Sequence, residues 1–81
     1  MFYTYVLRSE KNPRHTYIGS TGDLKKRISD HNAGKSIHTN KFKPWRLIAY
    51  IALPERPQAE SLERYLKSGS GRAFVKRHFE A

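Results

Sequence analysis

Cysteine is absent from this 81-residue chain. That excludes a disulfide framework, a thiolate nucleophile and a thiolate metal site. It also suits a reducing compartment, so a cytoplasmic location is expected. Acidic residues are scarce, with seven Asp and Glu against 16 Lys and Arg and a formal net charge of +9. No apolar run approaches the roughly 20 residues a membrane-spanning helix needs, and no membrane association is expected. The opening Met1-Phe2-Tyr3-Thr4-Tyr5 lacks a charged region followed by an apolar one, so no secretory signal is expected. Glycine-rich phosphate loops and a serine nucleophile elbow are missing. The four histidines, His15, His31, His38 and His78, are too scattered for metal-ligand spacing. Only 37% of residues are hydrophobic, enough for one small core. A single domain over residues 1–81 is expected, with no repeat, low-complexity tract or linker.

What the chain has is positive charge, and its distribution matters. From His31 to Pro54 there is no acidic residue, whereas Lys35, Lys41, Lys43 and Arg46 all fall there. An unopposed basic stretch favours polyanions, of which nucleic acid is the commonest in a cell. Lys35, Lys41 and Lys43 are the expected sequence-independent backbone contacts.

Phe2–Leu7 is aromatic and β-branched and predicts a strand. Lys11–Arg14 predicts a turn, and Thr16–Gly19 a second strand that closes a hairpin. Thr21 and Asp23 suit a helix start, Leu24 and Ile28 its apolar stripe, and Gly34 its end. Lys35–Pro44 reads as a loop. Trp45–Leu53 is apolar on both faces, as a buried central strand would be. Pro57 suits the start of a second helix, with Ala59, Leu62 and Leu66 inward. Ser68-Gly69-Ser70-Gly71 stops it, and Ser70 is placed to cap a last helix over Arg72–His78 with Phe74, Val75 and Phe79 inward. The β-β-α-β-α-α order predicts an α+β fold, a small mixed three-stranded sheet flanked by helices.

If the hairpin centres near Lys11, Tyr5 stands opposite Tyr17. Two such tyrosines are also what a hairpin uses merely to pack. Here, however, the chain resembles the GIY-YIG nuclease family. Tyr3-Thr4-Tyr5 stands where the first motif belongs and keeps its tyrosine, and Tyr17-Ile18-Gly19 matches the second in full. Ser20-Thr21-Gly22-Asp23-Leu24, Arg27 and His31-Asn32-Ala33-Gly34-Lys35 look like the small single-domain, UPF0213-like and excinuclease-like branch. Ala59, Glu63 and Lys67, at steps of four, look like the family helix that carries a catalytic glutamate.

The resemblance implies metal-dependent endonucleolytic hydrolysis of phosphodiester bonds, in DNA ahead of RNA, in repair or processing. Tyr5 or Tyr17 would receive a proton from water. Arg27 would pair with phosphate oxygens. Glu63 would hold one Mg²⁺ or Mn²⁺. His31, one helical turn after Arg27, would orient water or donate to phosphate. Asn32 and Thr39 are weaker phosphate contacts, as are Ser70 and Arg72 where the last helix opens. Without the resemblance, Arg27 reads as solvated surface, Glu63 as an ion pair with Lys67, and His31 as a helix-end charge. The alternative at the level of the whole chain is a catalytically weak nucleic-acid-binding module. Protein partners are not legible.

Overall fold

The structure is a computed structural model and describes residues 1–80. Strand β1 (Phe2–Ser9) and strand β2 (Thr16–Thr21) form the hairpin. Helix α1 (Leu24–Asn32) follows, then a short 3₁₀ turn at Asn40–Phe42. Strand β3 (Trp45–Leu53) and helices α2 (Arg56–Lys67) and α3 (Gly69–Phe79) complete the order. The α+β class and the β-β-α-β-α-α order stand as expected.

The sheet order is β2-β1-β3, and both pairings are antiparallel. The expected mixed sheet is therefore corrected. β2 and β3 run the same way, but β1 lies between them, so no parallel pair forms. The central strand is β1, with Thr4, Tyr5, Val6 and Leu7 all buried, and β3 is an edge. β3 is apolar on both sides because Trp45 and Leu47 join one cluster and Ile48 and Ala49 the other, although Tyr50 stays 54% exposed. One face of the sheet carries Tyr5, Leu7 and Trp45 against Leu24 and Ile28 of α1. The other carries Val6 and Ile18 against Leu66 of α2 and Val75 of α3. A register shift between Val6 and Leu7 in the β1–β3 pairing leaves Ile48 without a partner, as at a β-bulge.

Helix ends differ from expectation in detail. Asp23, not Thr21, caps α1 by accepting from the Lys26 amide, while Thr21 ends β2 and bonds the Asp23 amide. Gly34 follows α1 at φ +80°, as its role as terminator predicts. Glu55 and Gln58 form a reciprocal capping box on α2, with Pro57 in its first turn. Ser68, not Ser70, caps α3, which therefore begins three residues earlier than predicted. Phe74 is 41% exposed rather than inward; Val75 and Phe79 supply the packed face. Gly71 is not merely a flexible stop. A Cβ there would collide with the Tyr65 carbonyl oxygen and Leu66 Cα, so the tight turn from α2 into α3 needs a residue without one.

Candidate active site at the free edge of β2

Tyr5 and Tyr17 are not directly opposite. The hairpin centres at Asn12, so Tyr5 pairs with Gly19 and Leu7 with Tyr17. The two phenols are diagonal neighbours on one face, with ring centroids 6.3 Å apart, and the hydroxyl of Tyr5 lies over Gly19. A Cβ at Gly19 would stand 2.5 Å from Tyr5 Oη and 3.1 Å from the Tyr17 ring. The glycine of Tyr17-Ile18-Gly19 is thus the gap into which Tyr5 fits.

α1 lies over this face and contributes two side chains one turn apart. His31 is fully buried at 0% exposure. Its Nε2 shares a hydrogen bond of 2.9 Å with Tyr5 Oη, and its Nδ1 one of 2.7 Å with Thr39 Oγ1. Thr39 is held in turn by Trp45, whose indole N–H donates to the Thr39 carbonyl at 2.9 Å. Burial, reinforced by the nearby Arg27 charge, pushes the His31 pKa down and keeps the ring neutral. Burial pushes the Tyr5 phenol up to about 12, although hydrogen bonding from Arg27 opposes it. For the half-buried Arg27, burial alone would lower the pKa. Its interactions with the Tyr5 and Tyr17 phenols outweigh that and raise it.

The opposite face reaches the same place around the edge of the sheet, because among the described residues β2 has no strand neighbour on its outer side. Ser20 of β2 donates to Glu63 Oε1 at 2.6 Å, and Lys67 Nζ donates to Oε2 at 2.7 Å. Lys67 Nζ also lies 5.8 Å from the Tyr17 ring centre. Burial would raise the Glu63 pKa, but the bonds from Lys67 and Ser20 outweigh it and hold the carboxylate ionised below its usual range. Among the described residues no three His, Cys, Asp or Glu side chains cluster as a metal site. One ionised carboxylate at a groove edge nevertheless fits a hard divalent cation completed by water and phosphate, provided Lys67 yields Oε2.

Five expected residues, Tyr5, Tyr17, Arg27, His31 and Glu63, therefore converge from four elements. The structure alters several minor expectations. His31 is too buried to donate to phosphate and instead bonds Tyr5. Thr39 is buried and committed to His31. The Asn32 amide bonds both the N–H and the carbonyl of Trp45, so it is a structural clamp. Ser70 lies in the first turn of α3 and is not its cap. Trp45 is a core residue, 5% exposed, as its apolar strand predicts. Lys35 faces Asp30 at 3.7 Å, while the exposed Lys41 lies over Phe42 at 5.8 Å. Lys43 is exposed in the loop. Arg72 lines the depression beside Tyr17 and Lys67. Ser20 was not singled out in its own right; its even-numbered position on β2 places it toward α2, which only the sheet's packing reveals. The departure from the first motif has a local reason too: Tyr3 packs edge-on against Tyr50, and Thr4 donates to the Ala59 carbonyl at 2.7 Å.

The GIY-YIG catalytic domain family model matches residues 1–77. A structure-specific endonuclease subunit SLX1 of Candida dubliniensis is 36% identical across 95% of this chain, and the chain spans 28% of that protein's length. A UPF0213 protein of Streptococcus pyogenes serotype M5 is 36% identical across 88% of this chain and 76% of its own. The solution structure of UPF0213 protein BH0048 from Bacillus halodurans superposes with a TM-score of 0.56 at 30% identity, covering 98% of this chain and 87% of that one. By its tyrosine pair, its glutamate-bearing helix and these matches, the chain belongs to the GIY-YIG catalytic domain family.

Proposed function

We propose that this protein is a metal-dependent nuclease that hydrolyses phosphodiester bonds in nucleic acid, DNA in first place, during repair or processing. The observation that carries the reading is the hydrogen bond that joins a buried tyrosine, Tyr5, and a buried neutral histidine, His31, beside Tyr17 and Arg27. A phenol with a pKa near 12 does not release its proton to solvent at neutral pH. In the tautomer whose Nδ1–H donates to Thr39, however, Nε2 is free to accept from it. Tyr5 then takes the proton of an attacking water as it passes its own to His31. Arg27 neutralises the phosphate with a planar fork. The Tyr17 hydroxyl, beside Arg27, orients the water or phosphate oxygen. Glu63, positioned by Ser20, would hold one Mg²⁺ or Mn²⁺, which supplies charge neutralisation for the departing oxygen.

The alternative, a nucleic-acid-binding module with little activity, is favoured by one observation. Both Glu63 oxygens are already satisfied within the chain by Ser20 and Lys67. Nicking of supercoiled plasmid with Mg²⁺, Mn²⁺ or chelator decides between them. The nuclease reading expects chelator-sensitive nicking that Glu63→Gln abolishes while DNA binding is kept. Plasmid left intact with either metal would support the binding module instead.

A further inference from the structure

The depression beside the candidate site does not end there. Tyr17, Lys67 and His38 line a concavity of about 370 Å³ together with Thr16, Ile18 and Arg72. The last three also line a second concavity of about 540 Å³, which continues to Arg14, Val75 and Lys76. Shared walls make the two one groove. It runs from Tyr17 along the free edge of β2 to the hairpin turn, between Arg14 on one side and α3 on the other.

Its charge is one-sided. Arg72 and Lys76 sit one turn apart on α3, hence on the same face, and Arg14 stands at the turn opposite them. Among the described residues none of these three has a carboxylate within 4.0 Å, unlike Lys35, which faces Asp30, or Lys67, which holds Glu63. Arg72 is fixed by its Nε, which donates to the Lys67 carbonyl at 3.0 Å, so its terminal amino groups remain available. The one carboxylate at the groove among the described residues, Glu80, lies 3.7 Å from Arg8 and is largely shielded. The floor, Ile18 and Val75, is apolar and buried.

We infer that this groove binds the phosphate backbone of a polynucleotide strand leaving the candidate site, with Arg72, Lys76 and Arg14 meeting successive phosphates. The inference rests on the nuclease reading above and gives the substrate a direction across the molecule. Cations one helical turn apart, about 5.4 Å along the axis, suit charges that recur every few ångströms along a strand. Unopposed cations dominate the lining, so the contact inferred is to the backbone and insensitive to sequence.

The test is binding of a fluorescent single-stranded oligonucleotide to the whole chain by anisotropy across a salt series in chelator, where cleavage plays no part. Arg14→Ala/Lys76→Ala changes two exposed side chains. It should lower the slope of log affinity against log salt by about 1.4, or about 0.7 for each lost phosphate contact. Lys25→Ala/Arg56→Ala removes the same charge from exposed positions outside the groove and should leave the slope near its parental value. Equal slope losses in the two double variants would overturn the groove and leave only a net-charge effect, as would an unchanged slope in the first. Either result is distinct from failure of the nuclease reading, which the plasmid assay reports.

Discussion

Tyr5 and Tyr17 are chemically the same side chain in different surroundings. Tyr5 is 1% exposed and tied to His31, whereas Tyr17 is partly open beside Lys67. Loss of either hydroxyl should reduce cleavage by roughly 10²–10⁴-fold if it moves a proton or positions water. Their effects on stability should differ. Tyr5→Phe leaves a buried His31 nitrogen without a partner, at a cost of about 1–3 kcal/mol, whereas Tyr17→Phe should melt close to the parent. Cleavage assays and thermal melts on both variants check this. Parental cleavage in both would reduce the pair to packing aromatics. Much of the site was legible at this scale because tyrosine, arginine and glutamate at motif spacing carry their chemistry with them. The partner of His31 was not legible, because burial and a 26-residue separation in sequence decide it.

Among the elements, the closest joint lies between α2 and α3, and it rests on Gly71. The turn presses the Tyr65 carbonyl against the glycine. Gly71→Ala raises helix propensity, yet here it should destabilise, because the obstacle is backbone that cannot rotate away. Overpacking of this kind costs about 1–3 kcal/mol, to be read as a lower midpoint in denaturant unfolding. A midpoint at or above that of the parent would show that the joint opens without strain. Since α2 also carries Glu63 and Lys67, the same change should shift them relative to Tyr17. Helix positions follow from proline, glycine and apolar stripes, but the caps do not: Asp23 and Ser68 take the places expected for Thr21 and Ser70. The place of β3 does not follow either, because an edge strand in a sheet covered on both faces has the composition of a central one.

For the molecule as a whole, a net charge of +9 lies on a body of 30 × 27 × 18 Å. Burial of His31 couples its protonation to both folding and activity. Its folded pKa lies below the unfolded value of about 6.5, so the unfolded chain binds the extra proton first. Stability linked to this group is therefore present above about pH 6.5 and declines as pH falls toward the folded pKa. Asp30 opposes the shift while Arg27 reinforces it. Cleavage should have an acid limb below the ordinary histidine range, since a protonated ring cannot accept from Tyr5. A pH series of melting temperature and kcat/KM for parent and His31→Gln tests this. The parental acid limb should vanish in the variant or fall to background with it; an identical limb in an active variant would assign it to another group.

The sequence by itself determined the element order, the basic surface and the residue types of the site. Each of these depends on local propensity or on composition, which no packing can alter. Tertiary structure alone decided where those residues meet. Placing β1 in the centre left β2 with a free edge, so Tyr17 and Arg27 approach from one face while Glu63 and Lys67 approach from the other. It buried His31 against Tyr5 and joined two shallow depressions into one groove. Those outcomes depend on contacts between segments tens of residues apart, whose geometry is set by sheet order and helix packing rather than by any pattern along the chain.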